Sequence, residues 1–260
     1  MMASDRELEQ HGVQAPPGAA LVTGVASGIG RAVAIRLLHL GWKVAGIDID
    51  DRGTSWAEGE GFARDRWAFA QADVADPRAV DQAAAAVRQQ VGRFAGLVHA
   101  AGVCTFRPLD LLDPELFDRT MAVHARGAFL CARAVIPDMR ALGWGRIVNI
   151  ASVAGLNGGG RGIAHYAAAK AAIVGFTKAL ALELGGDGIT ANVVAPGLID
   201  TPLVRGAGMP QEAILEYARR APVGRVGQPA DVAAAVVYLF SPEASYVTGQ
   251  VLSPNGGVYL

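Results

Sequence analysis

Tyr166 and Lys170 are the residues whose types and spacing could do chemistry together. They lie four positions apart in His165-Tyr166-Ala167-Ala168-Ala169-Lys170. The stretch from Ala164 to Leu184 is rich in Ala, Leu and Lys, with no Pro and a single Gly, which is a helical composition. On a helix, positions i and i+4 share a face, so phenol and ammonium stand one turn apart. A neighbouring cation favours the phenolate. Bringing a Tyr from its ordinary pKa to about 7 takes roughly 3 units, or about 4 kcal/mol, which a fixed Lys together with a bound cofactor could supply. Tyr166 is therefore expected to titrate nearer neutral pH than a free phenol. A Tyr and a Lys that share a helical face by coincidence have the same spacing, so the surroundings must decide. A second hydroxyl stands close in sequence: the apolar run Arg146 to Ile150 reads as a strand and ends in Ala151-Ser152. Five glycines lie between Ser152 and Tyr166. A hydroxyl at a strand end and a phenol on the next helix could converge on one carbonyl oxygen, although a Ser here also serves as a turn former or helix cap.

The elements that would position these groups alternate along the chain. Ala19 to Thr23 reads as a buried strand and runs into Thr23-Gly24-Val25-Ala26-Ser27-Gly28-Ile29-Gly30, after which the pattern turns helical. Strand, glycine turn and helix in that order make a phosphate site: Gly lets the backbone approach the ligand, and the helix N-terminus offers free N–H groups. The next strand, Trp42 to Ile47, ends at Asp48-Ile49, where a carboxylate can accept both ribose hydroxyls of an adenosine and repel a 2′-phosphate. Ser27 occupies the place in the turn where a Lys or Arg could oppose it. NAD(H) is therefore expected over NADP(H). A third strand, Trp67 to Ala72, ends at Asp73-Val74, where a carboxylate can meet the adenine amino group. Asp73 also competes with Asp76-Pro77 to cap the helix expected from Pro77 to Val91. The strand Ala95 to His99 leads into Ala100-Ala101-Gly102, small enough for a cofactor to lie against. A long helical stretch, Asp113 to Leu142, contains His124, and Pro137 is expected to kink or break it. A lone His on an apolar helix is also what a packed core residue looks like. Strands and helices alternating at this spacing imply a doubly wound parallel sheet with ligands at the carboxyl ends of its strands.

In this order, Thr23-Gly24-x-x-x-Gly28-x-Gly30, Ser152, Tyr166-x-x-x-Lys170 and Pro196-Gly197 resemble the short-chain dehydrogenase/reductase family from about Ala19 to Val258. The resemblance implies a Rossmann-like α/β fold of about seven strands in the order 3-2-1-4-5-6-7. It also implies hydride transfer between a nicotinamide cofactor and an alcohol or ketone. Tyr166 would be the acid/base, Lys170 would lower its pKa and bind the nicotinamide ribose, and Ser152 would hydrogen-bond the substrate oxygen. Pro196, Gly197, Ile199 and Thr201 would hold the carboxamide. Two places depart from the family. His99-Ala100-Ala101-Gly102 replaces the usual Asn-Asn-Ala-Gly, so a side-chain hydrogen bond from the second Asn is lost. His124 stands where an Asn usually holds a water behind the Lys, a role His can also fill. The pocket walls would include Ala154, Asn157, Leu198 and an irregular lid over residues 202–227. Arg161, Arg205, Arg219 and Arg220 are either surface charges or attractors of an anionic substrate. In the family, C-termini of this kind often lie at subunit interfaces, and a homotetramer or dimer is implied.

The whole composition sets outer limits. The chain has 260 residues, enough for one domain over residues 19–260. Residues Met1 to Gly18 are polar and end in Pro16-Pro17-Gly18, read as a flexible tail with no signal-peptide pattern. Hydrophobic residues make up 52% and charged residues 18%, with a net charge of −1, which implies no general attraction to nucleic acid. No apolar run is long enough to span a membrane, and a cytoplasmic location is expected. Cys104 and Cys131 have no disulfide or metal-ligand spacing and read as small buried apolar residues, so no metal is expected. Together these features point to an NAD(H)-dependent oxidoreductase interconverting a secondary alcohol and a ketone. Two alternatives remain open: a carrier- or CoA-linked 3-oxoacyl reductase, and a non-catalytic dinucleotide-binding regulator.

Overall fold

Buried strands that carry no polar face need cover on both sides, and this requirement shapes the molecule. The computed structural model describes residues 18–260 apart from 54 and 64, so the expected tail lies outside the described residues up to position 17. The first half runs β1 (Ala19–Thr23), α1 (Gly28–His39), β2 (Val44–Asp48), the short α2 (Ser55–Gly59), β3 (Trp67–Gln71), α3 (Pro77–Val91) and β4 (Phe94–His99). Then follow α4 (Pro114–Met121), a π-helical turn (Ala122–Arg126), α5 (Gly127–Leu142), β5 (Gly145–Ile150), α6 (Ala154–Asn157), α7 (Ala164–Leu184) and β6 (Ile189–Val194). The chain closes with α8 (Pro202–Gly206), α9 (Gln211–Arg220), α10 (Pro229–Phe240) and β7 (Val251–Leu252).

The strands form one parallel sheet in the order β3-β2-β1-β4-β5-β6-β7. This is the doubly wound, Rossmann-like sheet the sequence implies. Alternation of side chains across the pleat divides the core. Leu21, Leu97 and Ile147 lie in register and pack with Val87, Val91 and Met139 from α3 and α5. Their neighbours Val22, Val98 and Val148 face the other way and pack with Val33, Leu37, Val236 and Phe240 from α1 and α10. The direction in which successive strands are added reverses between β1 and β4, which opens a crevice at their carboxyl ends.

Helix boundaries follow local chemistry. Asp76, not Asp73, caps α3: its Oδ1 accepts from Arg78 N at 2.8 Å and Ala79 N at 3.2 Å, with Pro77 at the first position. The expected irregularity in the long helical stretch falls elsewhere than at Pro137. Pro137 is accommodated inside α5, where Arg88 from α3 braces that turn by donating to Ala134 O and Asp138 Oδ2, both at 2.8 Å. The helix instead widens into a π turn at Ala122–Arg126, around His124. The segment expected as a lid is more regular than its glycines and prolines suggest and carries α8 and α9. Among the described residues no helix is long and apolar enough to cross a membrane.

Candidate active site

The glycine turn between β1 and α1 forms one wall of a cleft of about 200 Å³. Gly24 (φ 74°) and Gly28 (φ 53°) adopt left-handed backbone that disfavours a side chain. A Cβ on Gly24 would also lie 2.9 Å from Ala101 N. Ser27 occupies the N-cap of α1 without bonding its first turn, so those N–H groups stay open to an anion. Ser27, Gly28, Ile29 and Gly30 line the cleft floor, and Asp48 and Ile49 line its rim. The Asp48 carboxylate is fixed from two sides: Ala26 N–H donates to Oδ2 at 2.8 Å and Asp50 N–H to Oδ1 at 3.0 Å. Arg52, the nearest cation in sequence, is held by Asp50.

Asp73 and Val74 line the cleft farther along, but Asp73 is already engaged. Its Oδ1 accepts from Ala75 N–H at 2.9 Å and its Oδ2 pairs with Arg119 at 2.7 Å, which holds the carboxyl below its ordinary range against the opposing pull of burial. An adenine amino group at Asp73 would share that carboxylate with Arg119. Ala100, Ala101 and Gly102 form the opposite wall. The Thr23 hydroxyl latches this wall: it accepts from Ala100 N–H and Ala101 N–H, both at 3.1 Å, and meets His99 Nδ1 at 3.1 Å. Burial drops His99 to a pKa of about 3, so its ring is neutral. The departure from Asn-Asn therefore leaves the loop tied to β1 through Thr23.

Deeper in, a pocket of about 80 Å³ is lined by His124, Ser152, Tyr166 and Lys170 together with Pro196, Gly197, Ile199 and Thr201. Lys170 is 4% exposed, and its Nζ donates to Ile150 O at 2.7 Å, pinning α7 to the end of β5. The same Nζ lies 5.6 Å from the Tyr166 ring centroid. Ser152 Oγ accepts from Ala154 N–H at 3.1 Å, which fixes its direction. The His124 and Tyr166 rings meet edge to face at 5.4 Å and 86°. His124 Nε2 is 2.8 Å from Val103 O and 3.2 Å from Val103 N, while its buried Nδ1 has no hydrogen-bond partner. Burial holds the His124 ring neutral, well below its ordinary pKa. With Nε2–H donating to Val103 O, Nδ1 is an unprotonated acceptor.

The electrostatics correct one expectation. Burial is the dominant influence on Tyr166 and pushes its phenol above the ordinary value instead of toward 7; a Ser152 hydrogen bond pulls the other way. Lys170 carries the large downward displacement, to about 7, again through burial. A desolvated ammonium is as costly as a desolvated phenolate, so the protein alone stores neutral Tyr beside readily deprotonated Lys.

Ser152 and Tyr166 also line a third, larger cavity of about 350 Å³ on the far side of the pocket. Ala154, Asn157 and Leu198 line it as expected, and Tyr217 and Arg220 reach it from the expected lid segment, whereas Cys104 and Phe106 were not foreseen there. Cys104 is half-buried in this wall, not a core residue; its place just beyond Gly102 at the end of β4 was the available signal. The arginines have different fates. Arg205 forms a bidentate pair with Asp200 at 2.9 Å, Arg219 pairs with Glu216 at 3.1 Å, Arg161 is exposed, and Arg220 lines the cavity.

Comparison with known proteins gives the family. A family model described as enoyl-(acyl carrier protein) reductase matches residues 24–259. The chain belongs to the short-chain dehydrogenase/reductase family. It is 35% identical over 241 residues to the 3-oxoacyl-(acyl-carrier-protein) reductase FabG of Vibrio cholerae, covering 93% of this chain and 97% of that one. It is 41% identical over 239 residues to BbsD of Thauera aromatica, a hydroxy(phenyl)methyl-succinyl-CoA dehydrogenase subunit, covering 92% and 95%. A crystal structure of a short-chain dehydrogenase/reductase (glucose/ribitol dehydrogenase) from Brucella melitensis superimposes with a TM-score of 0.87 at 28% identity, covering 95% and 99%. Membership implies an oxidoreductase that acts between alcohol and carbonyl groups with a nicotinamide dinucleotide. The cleft fits such a group: the glycine cradle leaves no room for Cβ atoms, the first turn of α1 has free donors, and Asp48 stands at the rim.

Proposed function

We propose that the protein is an NAD(H)-dependent oxidoreductase that interconverts a 3-hydroxyacyl thioester and its 3-oxoacyl counterpart. The observation that carries this reading is the continuity of the three cavities. Ser152 and Tyr166 stand at the junction between the small inner pocket and the 350 Å³ cavity, and the inner pocket shares Ile29, Ala100, Gly102 and Thr201 with the dinucleotide cleft. A carbonyl at that junction meets two hydroxyls on one side and the end of the cleft on the other. The thioester class is favoured by the names of the relatives, one acting on a 3-oxoacyl carrier and one on a CoA thioester. It narrows the secondary-alcohol expectation to the alternative weighed beside it. The preference for NAD(H) rests on Asp48, whose carboxylate would repel a 2′-phosphate.

In the direction of reduction, Ser152 donates a hydrogen bond to the carbonyl oxygen and Tyr166 gives it a proton as negative charge develops. The bound dinucleotide supplies or accepts the hydride. The phenolate left on Tyr166 lies beside Lys170, whose pKa of about 7 matches it to return a proton near neutral pH. His124 Nδ1 offers an acceptor for a water behind this pair. Oxidation runs the same proton steps backwards.

The test is reduction of acetoacetyl-CoA and of simple cyclic ketones by purified protein, with NADH or NADPH, beside Tyr166→Phe. Thioester turnover favouring NADH, with a loss of 10²-fold or more in the variant, supports the proposal. Turnover of simple ketones alone would overturn the thioester assignment. NADH binding without turnover of any carbonyl would turn the reading toward a regulator.

A further inference from the structure

We infer that Arg220 holds an anionic group of the substrate, a phosphate or a carboxylate set well away from the carbonyl that reacts. The inference rests on the thioester reading above and adds a charge requirement to it. The 350 Å³ cavity is lined by the hydroxyl-bearing Ser152 and Tyr166 and by apolar residues that include Phe106, Ile163, Met209 and Val258. Arg220 is the one side chain with a full charge among the described residues that line it. Four arginines lie in the segment 202–227. Three of them have carboxylate partners: Arg205 with Asp200, Arg219 with Glu216, and Arg225 with Asp231 at 2.6 Å. Arg220 alone has no ion pair among the described residues. The neighbour that could neutralise it, Glu216 one turn back, is taken by Arg219.

A cation at the last position of α9 also favours the helix dipole. That role needs no cavity, and Arg219 already fills it from the solvent side. Arg220, exposed like Arg219, also lines the cavity wall, where its charge pulls the Tyr217 phenol down against the larger upward push of burial. Tyr217 in turn accepts from Leu198 N–H at 2.9 Å, so the guanidinium stands on a helix fastened to the Pro196-Gly197 loop. An unpaired guanidinium at the wall of an apolar cavity suits bidentate recognition of phosphate or carboxylate. Two sources can supply that anion: the phosphates of a pantetheine-type thioester arm, or an acidic end on the acyl chain.

The experiment compares wild type, Arg220→Gln and Arg220→Lys on three substrates. These are acetoacetyl-CoA, acetoacetyl-N-acetylcysteamine (the same acyl group without phosphates), and an N-acetylcysteamine thioester whose 3-oxoacyl chain ends in a carboxylate. The readout is the kcat/KM ratio of each charged substrate to the uncharged one. A tenfold or larger fall in the CoA ratio for Arg220→Gln, carried by KM and partly restored by Lys, identifies the phosphate as the ligand. The same fall for the carboxylate-ended substrate identifies the acyl end. Unchanged ratios for both overturn the inference. If wild type turns over no thioester, the functional reading fails separately. Calorimetric binding of CoA and of glutarate to the wild-type and Arg220→Gln proteins in the presence of NADH then decides the anion site: tenfold weaker binding of either by the variant sustains it, and equal binding of both overturns it.

Discussion

Replacing Lys170 with Met should stabilise the cofactor-free protein most at acid pH, by an amount that shrinks as pH rises. Among the described residues Lys170 is buried with one hydrogen bond, to Ile150 O, and no carboxylate partner. Its pKa falls from 10.5 to about 7 on folding. Between those values the unfolded chain binds a proton that the folded chain has released, so stability rises with pH across the window. Below about pH 7 both states are charged, and the fold carries the whole cost of burial, about 5 kcal/mol. By pH 9 the folded amine is neutral, and the remaining cost is about 2 kcal/mol. The Met variant removes this cost and forfeits a hydrogen bond of about 1 kcal/mol. The stability difference between variant and wild type should therefore fall by about 3 kcal/mol from pH 6 to pH 9. The depressed histidines His99 and His124 are common to both proteins and largely cancel in the difference, and the raised Tyr166 phenol stays protonated throughout. The assay is urea unfolding without dinucleotide at fixed protein concentration, followed by tryptophan fluorescence. A difference flat to within about 0.5 kcal/mol over that range would refute the reasoning and remove the match on which proton return from Lys170 depends.

Asp48→Ala removes the carboxylate that would face a ribose and frees Ala26 N–H and Asp50 N–H. Its NADH affinity should drop about tenfold, the scale of one charge-assisted hydrogen bond, while NADPH affinity rises; fluorescence titration of both reads the ratio, and a native protein that already binds NADPH more tightly sinks the assignment. His124→Asn keeps an amide able to bond Val103 and should retain kcat within about tenfold, whereas His124→Phe fills the space without an acceptor and should lose about 10²-fold with a displaced pH profile. Equal losses in His124→Asn and Tyr166→Phe would show that the imidazole has a role no amide replaces.

Much of this arrangement is legible in the sequence because it is local. The limits of α3 and α7 follow from composition and capping, and the glycine turn, Asp48 and Ser152 each declare themselves by following a strand. What escapes depends on tertiary neighbours. Pro137 reads as a break because the bracing by Arg88 comes from a helix some 50 residues away. Cys104 reads as a core residue because composition cannot tell a buried thiol from one in a cavity wall. The direction of the Tyr166 shift in the cofactor-free protein is missed because pair spacing speaks for Lys170 and is silent about desolvation, which is the largest influence here.

The π-helical turn at Ala122–Arg126 is the most consequential of these hidden features. One extra residue in a helical turn shifts every later side chain around the axis, and a hydrophobic pattern tolerates so small a slip without trace. Here the slip lets α4 present Thr120 and α5 present Ala128 to the interior while His124, between them, is also turned fully inward. The position then needs room, and Gly102 provides it: a Cβ there would lie 2.6 Å from His124 Cε1. The loop after β4 thus carries its smallest residue where the widened π turn carries an imidazole, and Val103 O accepts from that imidazole's Nε2–H. His124 is in this way tied to the wall of the dinucleotide cleft on one side and meets the Tyr166 ring on the other. A change at Gly102 should therefore reach the Tyr166 ring through His124, without touching the Ser152 or Tyr166 hydroxyl.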